Sequence, residues 1–545
     1  MHYTTEMTQE EQIGQVLAVG FQETTPSPGI IDLIQNHHVG SIILFKRNIE
    51  SAQQVRELTH SLQMIAKEAG HRYPLLISVD HENGTTRRFG QHATTFPGNM
   101  TLGAVASEQL AYDIALAAGR ELKALGIIMN LAPVIDVNNN PANPVIGTRS
   151  FGEDPQLVAR LGIAMVKGYQ AAGIITDLKH FPGHGDTSVD SHLALPTIAH
   201  SIERLEALEL VPFKRCIDAG ADSVMIGHMY LPALMQDEML PSTISYAIVT
   251  TLLREKLGFT GLIVSDCLEM RAVANTIGVE QGAVLGLKAG IDLILVSHTY
   301  ERQRGSFSAI QSALQAGTLS ADRVRDAAEH VLQVKARTLS WDDLPDMTAA
   351  AAIGTTTSTQ LRDHAYERST TLVRDTAALL PLRLNAEQRL LVLLPRPSFF
   401  TPALDANFAG NTLIENLQQR HKNVDVLSIA PNPTPDIYET IAQAVNAADL
   451  VLVVTLNANL DTYQGELVQR LLQMGRPVIG IAAFNPYDLL AFPALGTYLV
   501  TYENTPPAFA AAVRVLFGEI QPQGHLPVSL PGLYPIGSAY STQNV

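Results

Sequence analysis

Cysteine is nearly absent from this chain: its 545 residues include only Cys216 and Cys267. Two thiols cannot build a disulfide framework or a cysteine-based metal site. No run of about 18 or more apolar residues occurs, which excludes a helical membrane span. Cationic excess is missing as well, with 37 Lys and Arg against 53 Asp and Glu and a net charge of −16. A nucleic-acid groove or an anionic membrane surface as partner needs clustered Lys and Arg, so neither is expected. The opening residues, MHYTTEMTQEEQIGQ, carry glutamates and no apolar core stretch. That is not the pattern of a secretory signal, and a cytoplasmic location is the expectation. Internal repeats and low-complexity tracts are absent too.

What remains has the composition of a globular protein, 46% hydrophobic and 17% charged. The length exceeds one ordinary core and predicts two domains. Over the first 340 residues, short β-branched runs alternate with longer helical patterns. The strand candidates are Gly40–Phe45, Leu75–Asp80, Ile127–Pro133, Ile174–His180, Ser223–His228, Leu262–Asp266 and Leu293–Ser297; Ser107–Leu125 and Pro155–Ala172 are amphipathic helices between them. Repeated βα units of this kind predict a parallel sheet covered by helices, and their number fits a (β/α)8 TIM-type barrel over residues 1–340. Residues 342–360 are rich in Ala, Thr and Asp and weakly periodic, so 341–365 reads as a linker. Beyond it, five apolar runs (Leu390–Leu394, Val424–Ile429, Asp449–Thr455, Pro477–Ala482, Tyr498–Tyr502) predict a smaller three-layer α/β/α sandwich over 366–545. PRPSFF follows its first strand, where a nucleotide-binding domain would carry a Gly-rich fingerprint.

Asp80, Lys179, His180, His228 and Asp266 all stand at or just past the C-terminal end of an apolar run. In a barrel of this type that end carries the active site. The densest chemistry lies in KHFPGHGDTSVDSH, residues 179–192, with three histidines, two aspartates and a lysine in fourteen residues. Pro182, Gly183 and Gly185 prevent a regular helix there. Asp190 and His192 are separated only by Ser191, so in a turn their side chains can meet. An aspartate that accepts from one imidazole nitrogen fixes the tautomer and raises the basicity of the other, which makes a general acid/base. Asp266, in GLIVSDCLEM, supplies a carboxylate at a strand end. Glycoside hydrolysis needs such a pair, one group at the anomeric carbon and one at the leaving oxygen. Glu269 is a rival carboxylate expected on the following helix, and Cys267 reads as a packed thiol rather than a nucleophile. A second reading, a metal-dependent barrel hydrolase, would use His180, His184, Asp186 and His192 as ligands. Against it, the first strand candidate ends LFKRN, with no His-X-His.

KHFPGHGDTSVDSH together with SDCLEM resembles the bacterial two-domain β-N-acetylglucosaminidase branch of glycoside hydrolase family 3. The likeness extends through GSIILFKRN, DHENGTTRRF, NLAPVIDVNNNPANPVIGTRSFGEDP, VMIGHM, AGIDLILVS and the terminal VTYENTPPAFAAAVRVLFGEIQPQGHLPVSLP. The resemblance implies that Asp266 is the nucleophile, His192 the acid/base and Asp190 its orienting partner. It implies further that Asp80, Arg88, Arg149, Lys179 and His180 hold the sugar. The implied reaction is removal of terminal non-reducing β-linked N-acetylglucosamine from muropeptide or chitin-oligosaccharide fragments, with no cofactor and no metal. A phosphorylase using the same residues is the alternative within the family. The family usually reads Asp-Gln-Glu-Gly-Gly where this chain has Asp80-His81-Glu82-Asn83-Gly84, so His81 and Asn83 are expected to alter the sugar pocket. Nothing in the sequence sets the oligomeric state.

Overall fold

The computed structural model describes residues 3–235, 239–342, 344, 352–396, 408–431 and 437–540. The first sheet contains β1 (Leu17–Val19), β2 (Ser41–Leu44), β3 (Leu76–Val79), β4 (Met129–Asn130), β5 (Ile175–Phe181), β6 (Ser223–Ile226), β7 (Leu262–Ser265) and β8 (Ile294–Val296). All its pairings are parallel, in the order β7-β6-β5-β4-β3-β2-β1-β8. A parallel bridge between Val264 and Leu293 joins the two ends, so the sheet closes into the expected barrel. The strand missing from the sequence reading is β1, whose three residues directly follow the helix Gln9–Gln15 and present no apolar run of normal length. Conversely β4 is shorter than expected, because Pro133 brings no N–H to a ladder.

The helices begin where capping chemistry dictates. Asp154 accepts from the Gln156 and Leu157 amides and Pro155 takes the first position of the helix Pro155–Ala171. Ser107 accepts from Leu110 N at the start of the helix Glu108–Ala124. Side chains fill the barrel interior. One layer consists of Ile43, Leu131, Met225 and Leu295, from β2, the end of β4, β6 and β8, the alternate-strand arrangement that packs such barrels. The same apolar cluster continues to Val331 and Val334 on the helix Ala321–Thr338. Lys335 of that helix donates to the Gly40 carbonyl (2.5 Å) and to Gln15 Oε1 (2.7 Å), which places it across the N-terminal ends of β1 and β2.

The second sheet has six strands: β9 (Thr371–Asp375), β10 (Leu390–Pro395), β11 (Val424–Ile429), β12 (Leu450–Thr455), β13 (Val478–Ala482) and β14 (Thr497–Val500). Their order is β11-β10-β12-β13-β14-β9, with β9 antiparallel at the edge and the rest parallel. Separate apolar clusters cover its two faces, which makes the expected three layers. The sequence reading has five of these strands; β9, TLVRD, lacks a clear apolar run. Of the stretch read as linker, residues 343 and 345–351 lie outside the described residues, and from Thr356 onward the chain is a helix, Thr356–Ser369, started by the Thr355 side chain accepting from Ser358 N. The two sheets are joined through shared packing and polar contacts. Asn138 donates to Tyr487 Oη at 3.0 Å, and Glu153 accepts from the Ser529 amide and hydroxyl at 2.8 Å each. Among the described residues no helix is long and apolar enough to cross a membrane.

Candidate active site

A cavity of about 350 Å³ opens at the C-terminal ends of the barrel strands. Its floor is the layer of Ile43, Leu131, Met225 and Leu295. Its walls bring together Asp80, Arg88, Arg149, Lys179, His180, His192 and Asp266, residues scattered over 187 positions of sequence (266 minus 80, both ends included). Asp190 and His228 do not line the cavity; Asp190 stands behind His192, to which it is bonded.

The β3 end supplies Asp80 and Glu82. After Asp80 the chain turns sharply, with Asn83 and Gly84 at positive φ (69° and 57°), a conformation that asparagine and glycine tolerate best. His81 and Asn83 do not line the cavity, contrary to the expectation drawn from the departing motif. They are buried behind it. The His81 amide donates to Asn130 Oδ1 (3.0 Å), its ring accepts from Arg88 N (3.2 Å), and Asn83 donates to Tyr169 Oη (3.2 Å). Burial pushes the His81 imidazole down to about 3, so it stays neutral as an acceptor must.

The β5 end supplies Lys179 and His180, and the peptide bond between them is cis. Lys179 Nζ lies 2.6 Å from Asp80 Oδ1 and 2.7 Å from Glu82 Oε1. Arg149 grips Glu82 with two bonds, Nε to Oε2 at 2.8 Å and Nη2 to Oε1 at 2.7 Å, the fork geometry that suits a carboxylate. Burial works against the Glu82 carboxylate, yet Arg149 and Lys179 outweigh it and hold the group well below its ordinary range. Burial likewise opposes the Lys179 ammonium, and Asp80 and Glu82 more than offset it. His180 Nδ1 meets Asp136 Oδ2 at 2.7 Å, while Arg149 Nη2 approaches Nε2 at 3.4 Å. The imidazole therefore donates through Nδ1 and turns an accepting Nε2 toward the guanidinium.

The loop that follows is fixed by close packing. A Cβ on Gly185 would stand 1.8 Å from the Val137 carbonyl oxygen, so only glycine fits. Asp136 also accepts from the His184 amide at 2.7 Å, and one buried carboxylate thus organises two histidines. The His184 ring bonds Thr187 Oγ1 (2.8 Å) and Ser191 Oγ (3.1 Å). At the loop's end Asp190 Oδ1 accepts from both the His192 amide (2.9 Å) and His192 Nδ1 (2.7 Å). The dyad read from the sequence is formed, and it leaves Nε2 of a partly exposed ring available at the cavity.

Asp266 emerges from β7 and accepts from Cys267 N at 2.7 Å. Burial alone would raise its carboxyl, but His228, His180 and His192 bring it below the ordinary aspartate value. His228, at the end of β6, is locked between Thr243 and the Cys267 carbonyl (2.9 Å). Cys267 touches the cavity, and burial pushes its thiol up to about 12, in keeping with a packed, unreactive sulfur. Glu269 does not lie on the helix where it was expected. It sits in the turn before Arg271–Ala274, accepts from the His298 amide at 2.5 Å and does not line the cavity.

Sequence reasoning missed Glu82, Asp136 and Asp177. Glu82 stands two residues beyond Asp80, a spacing that could have drawn attention to it. Asp136 and Asp177 lie inside apolar runs; burial raises Asp177 to about 7, and Ser223 donates to it at 2.5 Å. The four residues of the metal reading do not converge: His180 is engaged by Asp136, His184 by Thr187 and Ser191, His192 by Asp190 and Asp186 by His200. Among the described residues the donor atoms within reach of one ion belong to Asp186, His200 and Glu209. There Asp186 and His200 bond each other at 2.7 Å, and Arg204 covers Glu209 at 2.9 Å.

A closed parallel barrel with a charged cavity at its C-terminal mouth is the layout of a TIM-barrel enzyme. Residues 8–334 match the glycosyl hydrolase family 3 N terminal domain. The chain belongs to this family of glycosidases, as the histidine loop implied. It is 31% identical to beta-hexosaminidase A of Pseudoalteromonas piscicida, over 93% of this chain and 92% of the relative. Its fold matches the solved family 3 beta-N-acetylglucosaminidase of Paenibacillus sp. str. FPU-7 with a TM-score of 0.89 and 39% identity, covering 96% of this chain and 99% of that one. A fungal multi-domain family 3 beta-N-acetylglucosaminidase gives a TM-score of 0.92 and 44% identity over 98% of this chain, which spans 62% of the fungal protein.

Proposed function

We propose that the chain is a retaining β-N-acetylhexosaminidase that removes terminal non-reducing β-linked N-acetylglucosamine from small muropeptide or chitin-oligosaccharide fragments. The observation that carries this reading is the Asp190–His192 dyad on the wall of the same cavity as Asp266. The names of the relatives, beta-hexosaminidase and beta-N-acetylglucosaminidase, support the same substrate.

In the proposed double displacement Asp266 attacks the anomeric carbon, and its depressed pKa keeps it ionised for that step. His192 Nε2 gives a proton to the leaving oxygen. It then takes one from the water that hydrolyses the glycosyl-enzyme, and β configuration is retained. Asp190 holds the ring by Nδ1 and stabilises its protonated form. Asp80 accepts from sugar hydroxyls, Arg88, Arg149 and Lys179 donate to them, and His180 completes the wall. A panel of nitrophenyl glycosides tests the proposal. Turnover of the N-acetylglucosaminide above the glucoside and N-acetylgalactosaminide is expected, and preference for the glucoside would overturn the assignment. Product analysis with and without phosphate separates hydrolysis, which yields free sugar in both, from phosphorolysis.

A further inference from the structure

Glu503 belongs to the second domain, in the turn between β14 and the helix Pro506–Leu516, and is only 2% exposed. Its Oε1 accepts from Gly98 N and from Thr101 Oγ1, each at 2.6 Å, and its Oε2 accepts from Tyr366 Oη at 2.7 Å. Gly98 and Thr101 lie at the start of the barrel-side helix Asn99–Val105. That helix is shared between the domains: Met100 and Ala104 pack in the second domain's core, and Leu102 packs in the barrel's.

Two short routes lead from this helix to the sugar-binding wall. Through the first, Asn99 Nδ2 donates to the Arg149 carbonyl at 2.7 Å and to the Val134 carbonyl at 3.0 Å, which sets the backbone behind the Arg149–Glu82–Lys179 unit. Through the second, Gly84 lies against Gly98 and Glu503 so tightly that a Cβ there would come within 2.8 Å of Gly98 Cα and 3.0 Å of Glu503 Oε1. Gly84 ends the turn that begins at Asp80 and contains Glu82. Neither route reaches Asp266 on β7 or the Asp190–His192 end of the loop.

We infer that Glu503 is a positioning residue through which the second domain sets the sugar-binding half of the cavity, acting on Asp80, Glu82 and Arg149 rather than on the reacting groups. The inference rests on the reading of the cavity as a sugar site. Its signature is a split between binding and turnover. Cutting a buried, charge-assisted network in Glu503→Ala should raise KM for nitrophenyl N-acetylglucosaminide about tenfold and leave kcat within about twofold. The inhibition constant of free N-acetylglucosamine should rise in parallel. Glu503→Gln retains one oxygen for Gly98 and Thr101 and turns its amide toward the Tyr366 oxygen, so it should recover most of the loss. Tyr366→Phe and Thr101→Val each delete one bond and should shift KM the same way by less, which keeps the question open to measurement even if Glu503→Ala does not fold. Folded variants with wild-type KM and inhibition constant, or with kcat lowered at constant KM, would overturn the inference alone. A wild-type enzyme inert on every nitrophenyl sugar would overturn the sugar reading and this inference with it.

Discussion

On the β3–β5 side of the cavity, Asp80, Glu82, Arg149 and Lys179 form one continuous ion-paired unit, whereas on the β7 side Asp266 and His192 are each held by a single neighbouring residue. Side-chain exposure is low at the centre of that unit, 2% for Lys179, 4% for Glu82 and 6% for Arg149, and rises to 20% at Asp80, against 26% for His192 on the other side. A sugar ring is recognised by groups that must not move, because misplaced donors lose their directional bonds. Proton transfer needs a ring that both the leaving group and a water can reach. On the proposed assignment, the binding half is cross-linked before substrate arrives, and the reacting half is left with room to work.

The sharpest way to test that division is at Asp266. Asp266→Asn keeps the volume and removes the charge, and kcat for nitrophenyl N-acetylglucosaminide should fall by at least about 10⁴-fold while the thermal midpoint is preserved. His192→Ala should cost about 10³-fold with a poor leaving group and far less with dinitrophenolate, since only the first needs a proton; kcat/KM for the two substrates measures the difference. Glu82→Gln tests the other half. It leaves Arg149 and Lys179 buried without their shared charge and should destabilise the fold by about 3 kcal/mol in urea titrations, with a raised KM. If it lowered kcat as far as Asp266→Asn with KM unchanged, the division into halves would be wrong. Its partners hold Glu82 ionised below the ordinary 4.5, so its stabilisation is present above that pH and fades as the pH falls beneath it. The smallest effect concerns His184, in the buried middle of the loop. Burial pushes it down to about 4, so the unfolded chain takes up a proton near the ordinary 6.5 that the folded chain refuses. Its contribution is whole above pH 6.5 and is lost as the pH falls toward 4. His184→Gln should flatten the pH dependence of the thermal midpoint across that interval, and an unchanged slope would remove His184 from the account.

Strand ends were legible in the sequence because the polar residue that follows an apolar run is conspicuous. Asp80, Lys179, His180 and Asp266 could be placed at a barrel mouth for that reason. The Asp190–His192 pair was legible because a spacing of two residues in a turn brings side chains together whatever the rest of the fold does. Glu82 escaped notice because its meaning depends on Arg149 and Lys179, 67 and 97 positions away (149 and 179 minus 82), and no local pattern encodes such a meeting. Asp136 escaped because it sits among valines and isoleucines, where a carboxylate gives no periodic signal. The strands β1 and β9 were missed for a different reason: one is only three residues long, and the other is an antiparallel edge whose pairing with β14 is set from outside. The turn at His81 and Asn83 shows the opposite error. Unusual residues in a familiar motif invite a substrate role, yet here they bond backbone and Tyr169 behind the wall.

The layer of Ile43, Leu131, Met225 and Leu295, with the helix Ala321–Thr338 beneath the barrel, makes the cavity a blind alley. Traffic through a blind alley is ordered. On the proposed double displacement the group that enters last must leave first: the aglycone would depart while the sugar is still lodged against the floor, and the attacking water would arrive by the path the aglycone has vacated. The free sugar should then compete directly with substrate for the empty enzyme, whereas the aglycone should intercept the sugar-loaded form, and the two products should give different inhibition patterns in steady-state plots.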